Sequence, residues 1–206
     1  MKIDHLVVTC ADLDTGTAAV SETLGVPLQT GGKHPLMGTH NRLLSLGDAY
    51  LEVIAIDPDA PAPDRPRWFD LDNRSGAPAL TNWVASAADM DRAVAEAPMG
   101  MGEVHDLSRG DLAWRMAIPP SGALPFDGVL PALLQWRGAR AQDGLEPQGC
   151  KIKRLILTHP RMGDIQAAWP DLARTDSVVL EVGQRPEIAA EIVTPTGLKV
   201  LRGGLA

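Results

Sequence analysis

Cysteine, clustered positive charge and long apolar runs are all scarce in this 206-residue chain. Two cysteines, Cys10 and Cys150, fall in separate segments without CxxC spacing. That excludes a disulfide framework and a cysteine zinc site, and predicts two small buried thiols. The net charge is −7 and the basic residues are scattered, so the clustered cationic face needed for nucleic acid or anionic membrane is missing. Aromatic residues make up only 4% of the chain, too few for a base-stacking platform. No apolar segment is long enough to span a bilayer, and the apolar run near Met1 is too short for a signal peptide, which predicts a cytoplasmic protein. Phosphate-binding glycine loops, zinc-helix motifs and Gly-x-Ser-x-Gly elbows are also lacking, so nucleotide use and serine hydrolysis gain no support. A small-molecule partner remains.

What is present is enough apolar sequence, 45% of residues, to bury a sizeable core. Residues 3 to 9 alternate as a strand, Asp12 reads as the N-cap of a helix running to about Leu24, and Gly25 ends it. A second strand begins at Val26 and breaks at Gly31-Gly32; the stretch Gly38 to Ile56 then forms two strands joined by a tight turn at Gly47-Asp48. The order is β-α-β-β-β.

The same order returns. Asn82-Trp83-Val84-Ala85-Ser86-Ala87-Ala88-Asp89-Met90-Asp91 aligns with His5 to Asp14, both passing from strand through small residues to an Ala-Asp-apolar-Asp helix entry. After that helix, strands are predicted at 103–108, 112–118 and 132–136, the last preceded by a Pro-rich insertion. A third start at Lys151-Ile152-Lys153-Arg154-Leu155 matches Lys2 onward, with strands near 178–182, 188–193 and 198–201. The expected fold class is α+β: paired βαβββ modules, about 1–57 and 79–138, form a domain over 1–140, and a shortened third module packs on it over 150–206. Two modules side by side make a curved sheet with a concave cleft, where function is expected.

Glu52 lies mid-strand between apolar neighbours, and if buried it demands a partner such as a metal, an Arg or a hydrogen-bond network. With a two-residue turn, Leu43 faces Glu52, so Asn41 rather than His40 shares its side of the sheet. Asn41, His34 and His40, at a loop-to-strand edge, are candidate binding groups, and Glu52 or His40 is a candidate for moving a proton. Arg115 could present a guanidinium fork to a substrate carboxylate, and Trp136 is read as core or cleft wall.

In His5, the Ala-Asp-Leu-Asp helix entry and the Leu51-Glu52-Val53 strand, the sequence resembles the vicinal oxygen chelate superfamily. His34-Pro35-Leu36-Met37-Gly38-Thr39-His40-Asn41-Arg42-Leu43, followed by Leu46-Gly47 and Leu51-Glu52, is similar to its glyoxalase-like branch. The resemblance spans about residues 2 to 140 well and the remainder loosely. It implies a divalent metal, Zn, Mn, Ni or Fe, held by His5 and Glu52 of one module, with Asn82 and Gln135 at the corresponding places of the other. Neutral amides are weaker ligands than His and Glu. Two functions stay open: metal-assisted lyase, isomerase or oxygenase chemistry on a compact oxygenated substrate, and metal-free ligand sequestration of the bleomycin-resistance type. A homodimer and pairing of the first module with the third stay open as well.

Overall fold

Twelve strands, three α-helices and three short 3-10 turns make up the computed structural model, which describes residues 1–205. The first module runs β1 (Lys2–Thr9), α1 (Leu13–Leu24), β2 (Gln29–His34), β3 (Thr39–Ser45) and β4 (Tyr50–Ile56). The second runs β5 (Ala79–Ser86), α2 (Met90–Glu96), β6 (Glu103–Arg109), β7 (Leu112–Ile118) and β8 (Ala132–Trp136). Then follow β9 (Lys151–His159), α3 (Met162–Ala168), β10 (Val178–Val182), β11 (Glu187–Thr194) and β12 (Gly197–Leu201). No helix is long and apolar enough to cross a membrane, among the described residues.

Local chemistry sets the element ends. Asp12 caps α1 by accepting from the Thr15 amide at 2.8 Å, and Gly25 closes it in the left-handed region at φ 72°. Asp89 caps α2 in the same way through the Arg92 amide. On α1, Gly16 faces the sheet because nothing larger fits: an added Cβ would lie 2.4 Å from Cys10 Sγ. Both cysteines are buried and free, and burial pushes the Cys10 thiol up to about 12, so it is inert at neutral pH.

The two modules share one eight-stranded sheet of order β2-β3-β4-β1-β5-β8-β7-β6, joined by antiparallel pairing of β1 with β5. The first module therefore pairs with the second. The outermost strands β2 and β6 touch each other, so the sheet curls until its two edges meet. One face holds α1, α2 and the larger apolar core around Leu6, Val20, Leu51, Trp83 and Leu133; the enclosed face holds a second core around Val7, Ile54, Val84, Met116 and Leu134. The third module makes its own four-stranded sheet, β10-β9-β11-β12, whose Leu155, Leu157, Ala190 and Ile192 join the larger core on the helix side. Its wiring differs from that of the first module. There the opening strand β1 pairs with the last strand β4, whereas β9 pairs with β10 and β11.

One departure from the sequence reading and the path of two loops matter for the site. Strand β2 does not break at Gly31-Gly32 but begins later, at Gln29, and runs through both glycines as an irregularity between Thr30 and Lys33. The loops over 57–78 and 119–131 also fold inward. Gly122, at φ 76°, sits where a Cβ would lie 1.9 Å from the Arg67 carbonyl oxygen, and its own carbonyl accepts from the Asp70 amide. Phe69 and Asp70 are themselves held at positive φ, 58° and 56°, which turns Trp68 and Phe69 toward the enclosed face.

Candidate active site

Strand register builds the site. Val7 pairs with Glu52 across β1 and β4, so these two and Tyr50, Ile54 and His5 point into the curl. Asn41, diagonal to Glu52 on β3, points the same way. The resulting cavity measures about 30 Å³, room for about one or two waters, and is walled by Trp68, Phe69, Trp114 and Trp136.

Inside it a chain of polar contacts runs through buried side chains. Trp136 Nε1 donates to Asp4 Oδ2 at 2.8 Å, and Asp4 Oδ1 accepts from His5 Nδ1 at 2.8 Å. His5 Nε2 faces Glu52 Oε2 at 3.6 Å, too far for a direct hydrogen bond, and Glu52 Oε1 accepts from Asn41 Nδ2 at 2.5 Å. Asn41 Oδ1 in turn accepts from the Gly32 amide at 2.7 Å. Asp4, His5, Asn41 and Glu52 are each at most 5% exposed. The Tyr50 ring stacks on His5 with centroids 4.4 Å apart, and burial beside Asp4 and Glu52 pushes its phenol well above the ordinary value, so it stays neutral.

A second group of contacts closes the curl. From β6, Arg109 Nη1 donates to His34 Nε2 on β2 at 2.8 Å, and His34 Nδ1 lies 3.2 Å from Thr39 Oγ1. Burial, then the Arg109 charge, lowers His34 to about 3, so the imidazole is neutral and can accept from the guanidinium.

Of the residues singled out in the sequence, His5, Glu52, Asn41, His34 and Trp136 come together in this cavity. His40, Arg115 and Gln135 do not. Strand alternation turns each to the helix-covered face: His40 pairs with Ala55 of the larger core, Arg115 Nη2 bonds Asp91 at 2.8 Å, and Gln135 Nε2 donates to the Ala88 carbonyl at 2.6 Å. Asn82 is buried but lies outside the cavity lining, its Nδ2 against Gly128.

The register also tests the metal set. His5 pairs with Val84 and Val7 with Asn82, so exchanging the modules maps His5 onto Asn82 and Val7 onto Val84. Val84 pairs with Ala132 as Val7 does with Glu52, so Ala132, not Gln135, stands in the place of Glu52. An alanine side chain supplies no ligand. One His and one carboxylate remain, the latter already engaged by Asn41, and no group of three or more His, Cys, Asp or Glu that could hold an ion occurs among the described residues. This donor set does not fit a resident divalent ion.

Asp4, Tyr50, Trp68, Phe69, Trp114 and Arg109 were not singled out from the sequence. Asp4 reaches the site through an irregularity in β1 between Ile3 and His5, which breaks simple alternation. Arg109 arrives only because the sheet edges meet.

A family model described as a glyoxalase-like domain matches residues 3–173. No curated protein matches the sequence. Among solved structures, a hypothetical protein from Staphylococcus aureus is similar with a TM-score of 0.56 at 14% identity, over 98% of this chain and 84% of that one. Methylmalonyl-CoA epimerase from Streptomyces coelicolor, in complex with 2-nitronate-propionyl-CoA, gives 0.43 at 17% identity over 68% of this chain and 96% of its own. The Mycobacterium tuberculosis epimerase gives 0.43 at 16% over 69% and 91%. With paired βαβββ modules in one curled sheet and the family model spanning most of its length, the chain belongs to the glyoxalase-like domain family of the vicinal oxygen chelate superfamily.

Proposed function

We propose that the chain is a small-molecule enzyme that moves a proton on a compact oxygenated substrate, an isomerase or lyase working with Glu52 and His5 and without a resident metal. The observation that carries this reading is the buried pair itself. Glu52 Oε1 is tied to Asn41 while Oε2 faces His5 Nε2 across 3.6 Å without a hydrogen bond, which leaves a lone pair turned to the cavity. A buried carboxylate held by one oxygen and free at the other is built to accept a proton from carbon.

In the reaction so read, Glu52 Oε2 takes a proton from a carbon beside a carbonyl, and the C–H electron pair moves into the carbonyl to give an enolate. His5, oriented by Asp4 at Nδ1 and stacked on Tyr50, presents Nε2 to the same space. An N–H at Nε2 would donate to the developing oxygen anion, and returning the proton to carbon completes an isomerisation. Trp68, Phe69, Trp114 and Trp136 give the cleft apolar walls. The sequestering alternative would leave the Asp4-oriented His5 and the Asn41-held Glu52 without a task. A cytoplasmic setting, with free buried thiols, accompanies this reading.

The test is proton exchange. Chelator-treated protein in D2O is incubated with small 2-oxo and 2-hydroxy acids and C–H exchange is followed by NMR. Exchange by the parent that falls at least about 100-fold in Glu52→Gln supports the reading. Exchange that persists in that variant, or that arises only on adding a divalent ion, overturns it.

A further inference from the structure

Arg109 lines the same cavity with donors to spare, and Trp68, in its wall, carries an indole N–H without a partner. Arg109 spends Nη1 on His34 and has no carboxylate within ion-pair distance among the described residues, in contrast to Arg115, which pairs with Asp91. Trp68 is 5% exposed and its Nε1 is buried without a partner, although its ring lines the cavity and packs edge-on against His34 at 5.1 Å. A buried indole N–H without an acceptor costs roughly 1–3 kcal/mol and persists where something else supplies the acceptor. We infer that Arg109 and Trp68 form an anion subsite that holds the carboxylate of the substrate, with Glu52 and His5 of the same cavity acting on the C–H carbon beside its carbonyl.

This rests on the proton-transfer reading for what happens next, but the binding claim stands on its own geometry. The guanidinium is preoriented: neutral His34 accepts from Nη1 and is fixed by Thr39, and the Arg109 Cδ lies 2.9 Å from where a Gly32 side chain would begin. That packing also makes Arg109 a latch between β2 and β6, a role satisfied by Nη1 alone. The remaining N–H groups match the planar fork of a carboxylate. The proton-transfer reading needs a carbonyl beside the C–H carbon, and the cavity is small. The substrate class is therefore a short 2-oxo or 2-hydroxy monocarboxylate.

The experiment compares pyruvate with its uncharged amide, pyruvamide, by saturation-transfer NMR and calorimetry on the full chain. Pyruvate is expected to bind Glu52→Gln at least as tightly as the parent, since that variant removes a like charge, and to bind the parent at least tenfold more tightly than pyruvamide. Arg109→Gln is expected to abolish this preference, and Trp68→Phe, which keeps the ring and loses only the N–H, to weaken pyruvate several-fold. Binding retained in Glu52→Gln separates this subsite from the chemistry, since that variant fails only in exchange. Equal binding of acid and amide, absence of pyruvate binding, or full affinity in Trp68→Phe overturns the subsite. Trp68→Phe decides alone where Arg109→Gln, by releasing the latch, fails to fold.

Discussion

Asn41 Nδ2 lies 2.5 Å from Glu52 Oε1, and the other end of the same amide accepts from the Gly32 backbone. The orientation of the central carboxylate is thereby set two strands away, on the sheet edge, by the irregularity at Gly31-Gly32. Glycine is required there because the Asn41 side chain occupies the space a side chain would need. A Cβ at Gly31 would fall 2.0 Å from Asn41 Oδ1 and 2.5 Å from the Asn41 carbonyl oxygen.

Gly31→Ala should accordingly lose about 1–3 kcal/mol of stability by overpacking and displace Asn41 from Glu52. Gly163→Ala, where nothing lies within 4 Å in α3, serves as the control and should be neutral or stabilising by about 0.5–1 kcal/mol. Urea denaturation of both variants checks the pair. A Gly31→Ala protein as stable as the parent would show that β2 shifts freely and does not hold Asn41.

Replacing the amide donor by an acceptor attacks the same contact from the other side. Asn41→Asp sets two carboxylates against each other at a site where Asn41 is 2% exposed and Glu52 5%. At neutral pH this should cost about 3 kcal/mol, and the deficit should shrink as pH falls, because one proton shared between the oxygens restores a hydrogen bond. The reading is the difference in melting temperature between variant and parent at pH 7.5 and pH 5. A deficit that does not change with pH would mean that residue 41 has turned away from Glu52.

How far the site was legible in the sequence follows from which contacts obey alternation. His5, Asn41 and Glu52 could be placed on one face because β1, β3 and β4 keep a period of two around them and the turn at Gly47-Asp48 fixed the pairing of Leu43 with Glu52. The same parity should have removed Arg115 and Gln135, but nothing in the second module anchored the register: the insertion before β8 hides which residue answers to Glu52, and the polar Gln135 drew attention away from Ala132. Asp4 and Arg109 were out of reach for different reasons. One depends on an irregularity in β1, the other on the meeting of strands that lie at opposite ends of the sheet. The third module was recognisable as strand, helix and three strands, but its sheet order is a tertiary outcome that a four-residue match in its first strand does not carry.

His34 gives a pH dependence with a definite sign. Its folded-state value, about 3, lies below the ordinary 6.5, so the unfolded chain binds the proton more readily. The stability this contributes is fully present above about pH 6.5 and is lost progressively as pH falls toward 3. The window between pH 6.5 and 5 isolates the effect, since most carboxylates titrate lower. His34→Gln, which can still accept from Arg109, should flatten the dependence of unfolding free energy on pH in that window; an unchanged slope would place the protonated ring comfortably in the fold.

Trp136 is the partition between the reactive cavity and a larger hollow of about 410 Å³ between the two sheets, which Asp4, Arg140, Gln142 and Lys151 also line. Its indole N–H is the contact that holds Asp4 Oδ2, so the ring seals the cavity and fixes the carboxylate that orients His5. Trp136→Phe keeps much of the packing against Trp114, 5.7 Å away, but leaves that oxygen unpaired, which should cost roughly 1–3 kcal/mol. It should also lower the proton-exchange rate by loosening His5 while admitting acids longer than pyruvate, so the preference for chain length should relax as the rate falls. Both effects are needed. A slower variant with unchanged chain-length preference would leave Trp136 a prop for Asp4 and His5 alone, whereas a relaxed preference at full rate would mean that the His5 ring keeps its orientation without the Trp136 to Asp4 bond.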